Sequence, residues 1–86
     1  MRFRFLNRFK RAYKKLPKAL QEQVDRKLEL LAENPKHPSL RVKRVKKTQD
    51  IWEATITMSC RVTFQIEKDL YILRNVGEHD HVLREP

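Results

Sequence analysis

The sequence contains only one glycine, one cysteine and no long apolar run in its 86 residues. A lone cysteine, Cys60, forms no internal disulfide and cannot build a multi-cysteine zinc site, which fits a reducing compartment. No stretch reaches the apolar length of a membrane span, about 18 residues, and residues 1–5 lack the apolar core of a signal peptide. P-loop, G-x-G-x-x-G and paired-carboxylate motifs are also absent. We therefore expect one soluble, cytoplasmic domain, residues 1–86, that contacts no membrane and uses no cofactor.

Acidic residues are missing from two long segments, and their absence is more informative than the net charge of +9. Residues 1–21 contain eight basic residues and residues 34–49 contain six, so the two segments hold fourteen of the twenty Lys and Arg residues. Segregated positive charge attracts polyanions through counterion release and steers their association. We expect nucleic acid or an acidic protein as the partner. The alternative is a solvated basic surface that only keeps the protein soluble.

The first half of the sequence predicts a strand followed by two helices. Residues 1–6 alternate phenylalanine with arginine, as a half-buried strand does. Apolar residues then recur at helical spacing over residues 9–16 and again over residues 20–31. Pro17 suits the first turn of the second helix, which we expect to end at Asn34 and Pro35. The two helices should form a hairpin that covers one face of a sheet.

The second half predicts strands only. Apolar and polar residues alternate over residues 40–45, 52–57 and 61–66, and residues 70–73 are all apolar, as in a strand covered on both faces that continues to residue 76. We assign the chain to the α+β class with the order β-α-α-β-β-β, in which the two-helix hairpin packs on one face of a mostly antiparallel sheet. The opposite face is then left for function.

The hairpin formed by residues 52–57 and 61–66 places an arginine on the polar face. A three-residue loop would pair Arg61 with Thr57 and leave Glu53 roughly 13 Å from Arg61 along the sheet. An arginine among hydroxyl groups can hold a phosphate through two parallel hydrogen bonds. The alternative is a solvated arginine on a half-exposed sheet. Arg74 shares this face only if the turn before it has two residues.

The single glycine, Gly77, predicts a change of direction after the last strand, because glycine tolerates backbone conformations that other residues avoid. The turn would present His79, and a histidine is well matched to proton transfer near neutral pH. The alternative is a surface histidine in a frayed C-terminus. His79 and His81 point in opposite directions in an extended chain and no spaced cysteines accompany them, so we expect no metal site here.

The whole chain resembles the RelE/ParE toxin superfamily of type II toxin-antitoxin systems. The resemblance rests on the element order, the helix break at Leu16-Pro17, the Asn34-Pro35 loop and three later stretches. These stretches are Ile51-Trp52-Glu53-Ala54-Thr55-Ile56-Thr57, Arg61-Val62-Thr63-Phe64 and Leu73-Arg74-Asn75-Val76-Gly77-Glu78-His79.

This resemblance implies a small basic endoribonuclease that cuts mRNA in the ribosomal A site without a metal ion and is neutralised by an acidic antitoxin. It also implies that Arg61 contacts the scissile phosphate and that His79 acts in proton transfer. The general base is unassigned; Lys43, Glu53 and His81 are candidates, and Glu53 is awkward because of its separation from Arg61. RNA-binding residues are expected at Arg41, Lys43, Arg44, Lys46, Lys47 and Arg74.

Two other functions are compatible with the same resemblance. The first is a non-enzymatic inhibitor of the ParE type that binds DNA gyrase. The second is a catalytically impaired relative that retains only antitoxin and nucleic-acid binding.

Overall fold

The computed structural model describes residues 2–86 as a five-stranded sheet with helices on both faces. The elements are β1 (Arg2–Phe5), α1 (Asn7–Lys14), α2 (Lys18–Glu33), β2 (Lys43–Arg44), β3 (Trp52–Thr55), β4 (Cys60–Glu67), β5 (Leu70–Glu78) and α3 (His79–Arg84), with a short 3-10 helix at Pro38–Leu40. The strand order is β1-β5-β4-β3-β2. Only β1 and β5 pair in parallel, and the other neighbours are antiparallel. The predicted α+β class and the mostly antiparallel sheet are confirmed.

The hydrophobic core lies between the helix pair α1–α2 and one face of the sheet. Phe9 of α1 packs with Val24, Leu28 and Leu31 of α2 over this face. The sheet contributes Ala54, Val62, Phe64, Tyr71, Leu73 and Val76 to the same cluster. Burial of each large apolar side chain stabilises the fold by about 1.5–3 kcal/mol. The helix hairpin predicted from the apolar spacing therefore covers the face it was expected to cover.

The prediction of a strand over residues 40–45 is wrong for most of that segment. Leu40 ends a 3-10 helix that begins at Pro38, and its side chain is completely buried. Proline fixes a φ angle that suits such a turn, and the His37 ring accepts a hydrogen bond from the Ser39 amide. Only Lys43 and Arg44 pair with β3. Four strands follow α2, the number of strand segments that the sequence predicted, so the written order β-α-α-β-β-β counts one strand too few.

The predicted pairing of β3 with β4 is wrong by two residues. Arg61 lies opposite Thr55, not Thr57, and Thr63 lies opposite Glu53. The loop is longer than expected because β3 ends at Thr55 and β4 begins at Cys60. A shift of two residues preserves the face of every side chain, since side chains alternate with a period of two. The polar residues therefore still share one face, but Glu53 lies much closer to Arg61.

The C-terminal segment differs most from the prediction. The chain does not turn at Gly77, because β5 continues to Glu78 with Gly77 opposite Arg61. An unpredicted helix, α3, then begins at His79 and is capped by the Glu78 side chain, which accepts a hydrogen bond from the His81 amide. Val82 of α3 is fully buried. A Cβ on Gly77 would lie 3.4 Å from Val82 Cγ2, at the near limit of ordinary van der Waals contact, so α3 packs closely on the sheet at this position.

The sequence suggested that the sheet face opposite α1 and α2 would be left open. In the structure this face is partly covered. The residues after α3 run back over it. The Pro86 carbonyl accepts hydrogen bonds from Thr63 Oγ1 at 2.9 Å and from Arg74 Nε at 3.2 Å. The Glu85 carbonyl accepts one from Asn75 Nδ2 at 3.0 Å. The part of this face nearest β2 and β3 remains accessible.

Candidate functional site

A cleft of about 340 Å³ opens where β2, β3 and α3 meet on the partly covered face. Its lining contains one carboxylate, one imidazole and several cations. The lining residues are Lys43, Arg44, Val45, Lys46, Glu53, His79 and Leu83. We call this the Glu53–His79 cleft. Three residues proposed from the sequence for chemistry, Lys43, Glu53 and His79, thus lie in one place.

Glu53 is held in the cleft by the sheet and by Arg61. It lies opposite Lys43 of β2 and opposite Thr63 of β4, and its side chain is only 6% exposed. Its Oε1 atom is 3.8 Å from Arg61 Nε. The separation of roughly 13 Å expected from the sequence is therefore wrong, because the register brings these two residues to diagonal positions of one sheet face.

Arg61 is oriented by main-chain oxygens as well as by Glu53. Its Nη1 atom donates hydrogen bonds to the carbonyls of Thr57, Met58 and Cys60 at 2.5 to 3.1 Å. These carbonyls belong to the turn between β3 and β4 and to the start of β4. The side chain is 15% exposed. The guanidinium is thus fixed at one end by the turn, and its charge is partly balanced by the carboxylate of Glu53.

His79 reaches the cleft because it is the first residue of α3. Its main-chain amide donates to the Ser59 carbonyl at 2.7 Å, which joins the start of α3 to the turn that orients Arg61. Its Nδ1 atom lies 2.9 Å from Asp80 Oδ1. The imidazole remains 40% exposed. The presence of Leu83 in the lining was not expected from the sequence, because the sequence did not predict α3.

Arg44 and Lys46, which were expected to bind RNA, also line this cleft, whereas Arg61 and the remaining residues proposed from the sequence are not part of its lining. Arg41 and Lys47 are exposed and have positive φ angles of 45° and 67° in the segments that flank β2. Arg74 donates to Gln65 Oε1 at 2.7 Å, from a position where β5 has an extra residue relative to β4. His81 lines a different cleft beside α1. The structure therefore separates His81 from Glu53 and His79.

Cys60 lies beside Arg61 at the start of β4 but is closed to solvent, with 1% exposure. Burial raises the pKa of its thiol above the ordinary value, although a backbone hydrogen bond from Gly77 and the charge of Arg61 oppose this. A thiol in this state is a poor nucleophile, since the thiolate is the reactive form.

Within residues 2–86, no three His, Cys, Asp or Glu side chains are arranged to hold a metal ion. No helix in that range is long and apolar enough to cross a membrane.

A comparison with known families finds a match that covers most of the chain. The family model described as the ParE toxin of the type II toxin-antitoxin system parDE matches residues 3–83. No curated protein sequence matches the chain significantly.

Solved structures with similar folds include several toxins. YafQ from E. coli strain BL21(DE3) has a TM-score of 0.80 at 12% identity, over 95% of this chain and 98% of that one. A chain of the RelB-RelE antitoxin-toxin complex from Methanococcus jannaschii has a TM-score of 0.74 at 15% identity, over 95% of this chain and 98% of that one. A chain of the intact E. coli RelBE complex has a TM-score of 0.72 at 20% identity, over 91% and 95%. At these identities the likeness establishes the fold.

Proposed function

Because the chain belongs to the ParE toxin family of type II toxin-antitoxin systems, within the RelE/ParE superfamily, we propose that it cuts mRNA on the ribosome and so inhibits translation in the cytoplasm. The observation that carries this proposal is the Glu53–His79 cleft. A carboxylate and an imidazole lie there beside three cationic side chains of residues 43–46, and Arg61 pairs with the carboxylate. This set contains a base, an acid and cations, which are the groups that RNA cleavage requires.

The chemistry would be an attack by a ribose 2′-oxygen on the adjacent phosphorus. A base takes the 2′-hydroxyl proton, cations stabilise the charge of the phosphorane, and an acid protonates the 5′-oxygen as its bond to phosphorus breaks. In our assignment Glu53 is the base, Arg61 and Lys43 stabilise the phosphorane, and His79 is the acid. The products are a 2′,3′-cyclic phosphate and a 5′-hydroxyl end. The 3.8 Å separation of Glu53 and Arg61 removes the reason that made Glu53 an awkward base.

The charge of the cleft supports a polynucleotide substrate. In the described part of the chain, Lys43, Arg44 and Lys46 take part in no ion pair. Their charges are therefore available to phosphates, and binding would release the counterions of the nucleic acid. Arg41 and Lys47 are exposed, and they flank lining residues 43–46 in the sequence. They therefore extend the same basic surface.

Purified protein, ribosomes and a defined mRNA test this proposal. Wild type should produce new 5′-hydroxyl ends in the presence of a metal chelator. Glu53→Gln and His79→Ala should each lower the cleavage rate by roughly 100-fold or more, because general acid and base groups contribute factors of this size. Arg26→Ala, a change at an exposed basic residue of α2 outside the cleft, is the control and should stay within a few-fold of wild type. If wild type produces no ends, or if both cleft variants cut as fast as wild type, the proposal is wrong.

A second function is favoured by a specific observation. The matching family is described by the name ParE, and Arg61 is engaged by Glu53 and three carbonyls rather than left unpaired. Both points suit a non-enzymatic inhibitor of DNA gyrase. Such an inhibitor would block supercoiling or trap cleaved DNA in vitro, and His79→Ala would leave that effect unchanged. The same variant therefore separates the two functions.

We also propose an acidic antitoxin as the protein partner. A cleft of about 380 Å³, which we call the apolar groove, is lined by Phe5, Phe9, Tyr13, Leu28, Lys10, Lys14 and Asp25. An amphipathic helix can place its apolar residues in such a groove while its acidic residues meet the lysines. Two of the similar structures are described as RelB-RelE complexes, which supports a partner of this kind.

A further inference from the structure

A second cationic cleft lies on the opposite side of α3 from the Glu53–His79 cleft. We call it the α1 cleft; it measures about 290 Å³ and is lined by Arg8, Arg11 and Lys15 from the α1 segment, by His81 and Glu85, and by the buried end of β5. The Glu53–His79 cleft contains residues 79 and 83, whereas the α1 cleft contains residues 81 and 85. Residues two apart on an α-helix differ by about 200° around its axis. The short helix α3 is therefore a ridge between two basic clefts.

The cations of the α1 cleft are largely uncompensated. Arg11 and Lys15 are exposed, and in residues 2–86 neither forms an ion pair. They lie four residues apart, so their side chains project from the same side of α1. Arg8 is half-buried and donates a hydrogen bond to the main-chain oxygen of Glu85, which joins α1 to the residues after α3. Glu85 is the only carboxylate residue in the lining.

We propose that the α1 cleft binds the phosphate backbone of the RNA strand whose scissile phosphate lies in the Glu53–His79 cleft. The strand crosses α3 and contacts cations on both sides of it. This inference rests on the proposed RNA-cleaving function and adds a binding site that the catalytic residues do not include. A phosphodiester chain suits this arrangement because it carries one negative charge in every nucleotide, and an α-helix is only about 10 Å wide.

An acidic peptide helix suits the α1 cleft less well. Docking of such a helix requires a continuous apolar surface for its anchor residues. On this molecule that surface is the apolar groove, which is formed by the other side of α1 together with Phe5 and Leu28. The two sides of α1 thus differ in chemistry: Lys10 and Lys14 line the apolar groove, and Arg11 and Lys15 line the α1 cleft.

This difference provides a matched pair of variants with equal charge loss from one helix. The double variant Arg11→Ala/Lys15→Ala is compared with Lys10→Ala/Lys14→Ala. The probe is a fluorescent RNA oligonucleotide, 2′-O-methylated so that it cannot be cut and long enough to span both clefts. Fluorescence anisotropy gives the affinity at several salt concentrations, and the thermal midpoint of each variant shows that it is folded.

Loss of Arg11 and Lys15 should weaken RNA binding roughly tenfold and lower the salt slope of log K by about 1.4, since each phosphate contact of a single strand contributes about 0.7. Loss of Lys10 and Lys14 should change the affinity less and leave the slope close to that of wild type. Equal effects of the two double variants would show that only net charge matters and would overturn the proposal. Unchanged binding by Arg11→Ala/Lys15→Ala, or a lack of RNA binding by wild type, would also overturn it. The same measurement with polyglutamate as an acidic polypeptide probe tests the alternative partner: if Arg11→Ala/Lys15→Ala weakens binding to polyglutamate and not to RNA, the proposal is wrong.

Cleavage assays on the same proteins keep this inference separate from the proposed function. If wild type binds RNA through Arg11 and Lys15 but cuts no mRNA, the function is wrong and the binding site stands. If wild type cuts mRNA and Arg11→Ala/Lys15→Ala binds RNA normally, the binding site is wrong and the function stands.

Discussion

Arg61 Nε lies 3.8 Å from Glu53 Oε1, although the two residues are not direct partners in the sheet. Thr55 faces Arg61 and Thr63 faces Glu53, so the ion pair crosses the ladder diagonally. Diagonal neighbours on one face of an antiparallel pair are within reach of long side chains. The pair joins the turn that orients Arg61 to the strand that carries Glu53. Its geometry is the basis for assigning both residues to one reacting site.

We predict that Glu53→Gln destabilises the protein. The substitution leaves the little-exposed guanidinium of Arg61 without its counter-charge, and losing one partner of a buried pair is costly. The carbonyls that also bind Arg61 offset part of this cost, so we expect the free energy of unfolding to fall by about 1–3 kcal/mol. Chemical denaturation measures the change. Glu67→Gln, at an exposed position of β4, is the control and should change stability by no more than about 0.5 kcal/mol. Unchanged stability of Glu53→Gln would show that the pair contributes nothing.

Gly77→Ala should also destabilise the fold, by about 1–3 kcal/mol. Gly77 has a φ of 156°, a region that residues with a side chain rarely adopt, and the new methyl group would meet Val82 at 3.4 Å. Denaturation of Gly77→Ala, Val82→Ala and the double variant separates the two causes. The backbone strain at residue 77 remains in the double variant. Any steric cost of the new methyl group against Val82 disappears, because Val82→Ala removes the atom that it would meet. A Gly77→Ala protein as stable as wild type would show that the φ angle at this position imposes no strain on a residue with a side chain.

Stability should decrease at alkaline pH because of two buried groups. Burial raises the pKa of the Cys60 thiol and of the Tyr71 phenol above their ordinary values of 9.0 and 10.0. The folded state therefore holds these protons more tightly than the unfolded chain does. Their contribution to stability is complete below about pH 9 and is lost as the pH rises through the raised values, with a slope of at most about 1.4 kcal/mol per pH unit for each group.

The matched variants Cys60→Ala and Tyr71→Phe test that origin. Each removes one titrating group, so each should flatten the decline in the free energy of unfolding between pH 8.5 and roughly pH 11, whatever its effect at neutral pH. The quantity compared is the slope within each protein. If both variants decline as steeply as wild type, other groups cause the alkaline loss.

Antitoxin binding should be sensitive to the apolar groove. Phe5 is 38% exposed and lines that groove, so Phe5→Glu places an acid where an acidic helix would dock. We expect the affinity for the antitoxin to fall by roughly 100-fold, the size expected for a central interface residue. Ile66→Glu is the control, because Ile66 is 45% exposed and lies outside the groove lining. Equal loss of affinity in the two variants would place the interface elsewhere. Titration by calorimetry gives both values.

The sequence predicted the elements whose signals are local and repeated. The apolar spacing of residues 9–16 and 20–31 predicted α1 and α2, and the four apolar residues 70–73 predicted an interior strand. The alternation of residues 61–66 gave the correct face for Arg61, since a period of two survives a shift of register by two. The resemblance to the RelE/ParE superfamily was also visible in the sequence, because it rested on the order of these elements and on stretches of sequence within them.

The remaining features depend on contacts between distant residues. The register that brings Glu53 to Arg61 depends on the length of a turn without glycine, and no local signal fixed that length. Helix α3 has only six residues and is stabilised by packing of Val82 against Gly77 and by the Glu78 cap. A segment this short is hardly helical by itself, so its sequence carries a weak signal. The separation of His79 from His81 was expected for an extended chain, but in the structure it arises from the helix.

Induction of the protein alone, followed by mapping of transcript 5′ ends, tests the central claim most directly. Our account predicts new 5′-hydroxyl ends within translated regions soon after induction, and their absence when His79→Ala or Glu53→Gln is induced to the same level. Growth arrest without new ends, or the same ends from both variants, would contradict the assignment of the Glu53–His79 cleft as a ribonuclease site.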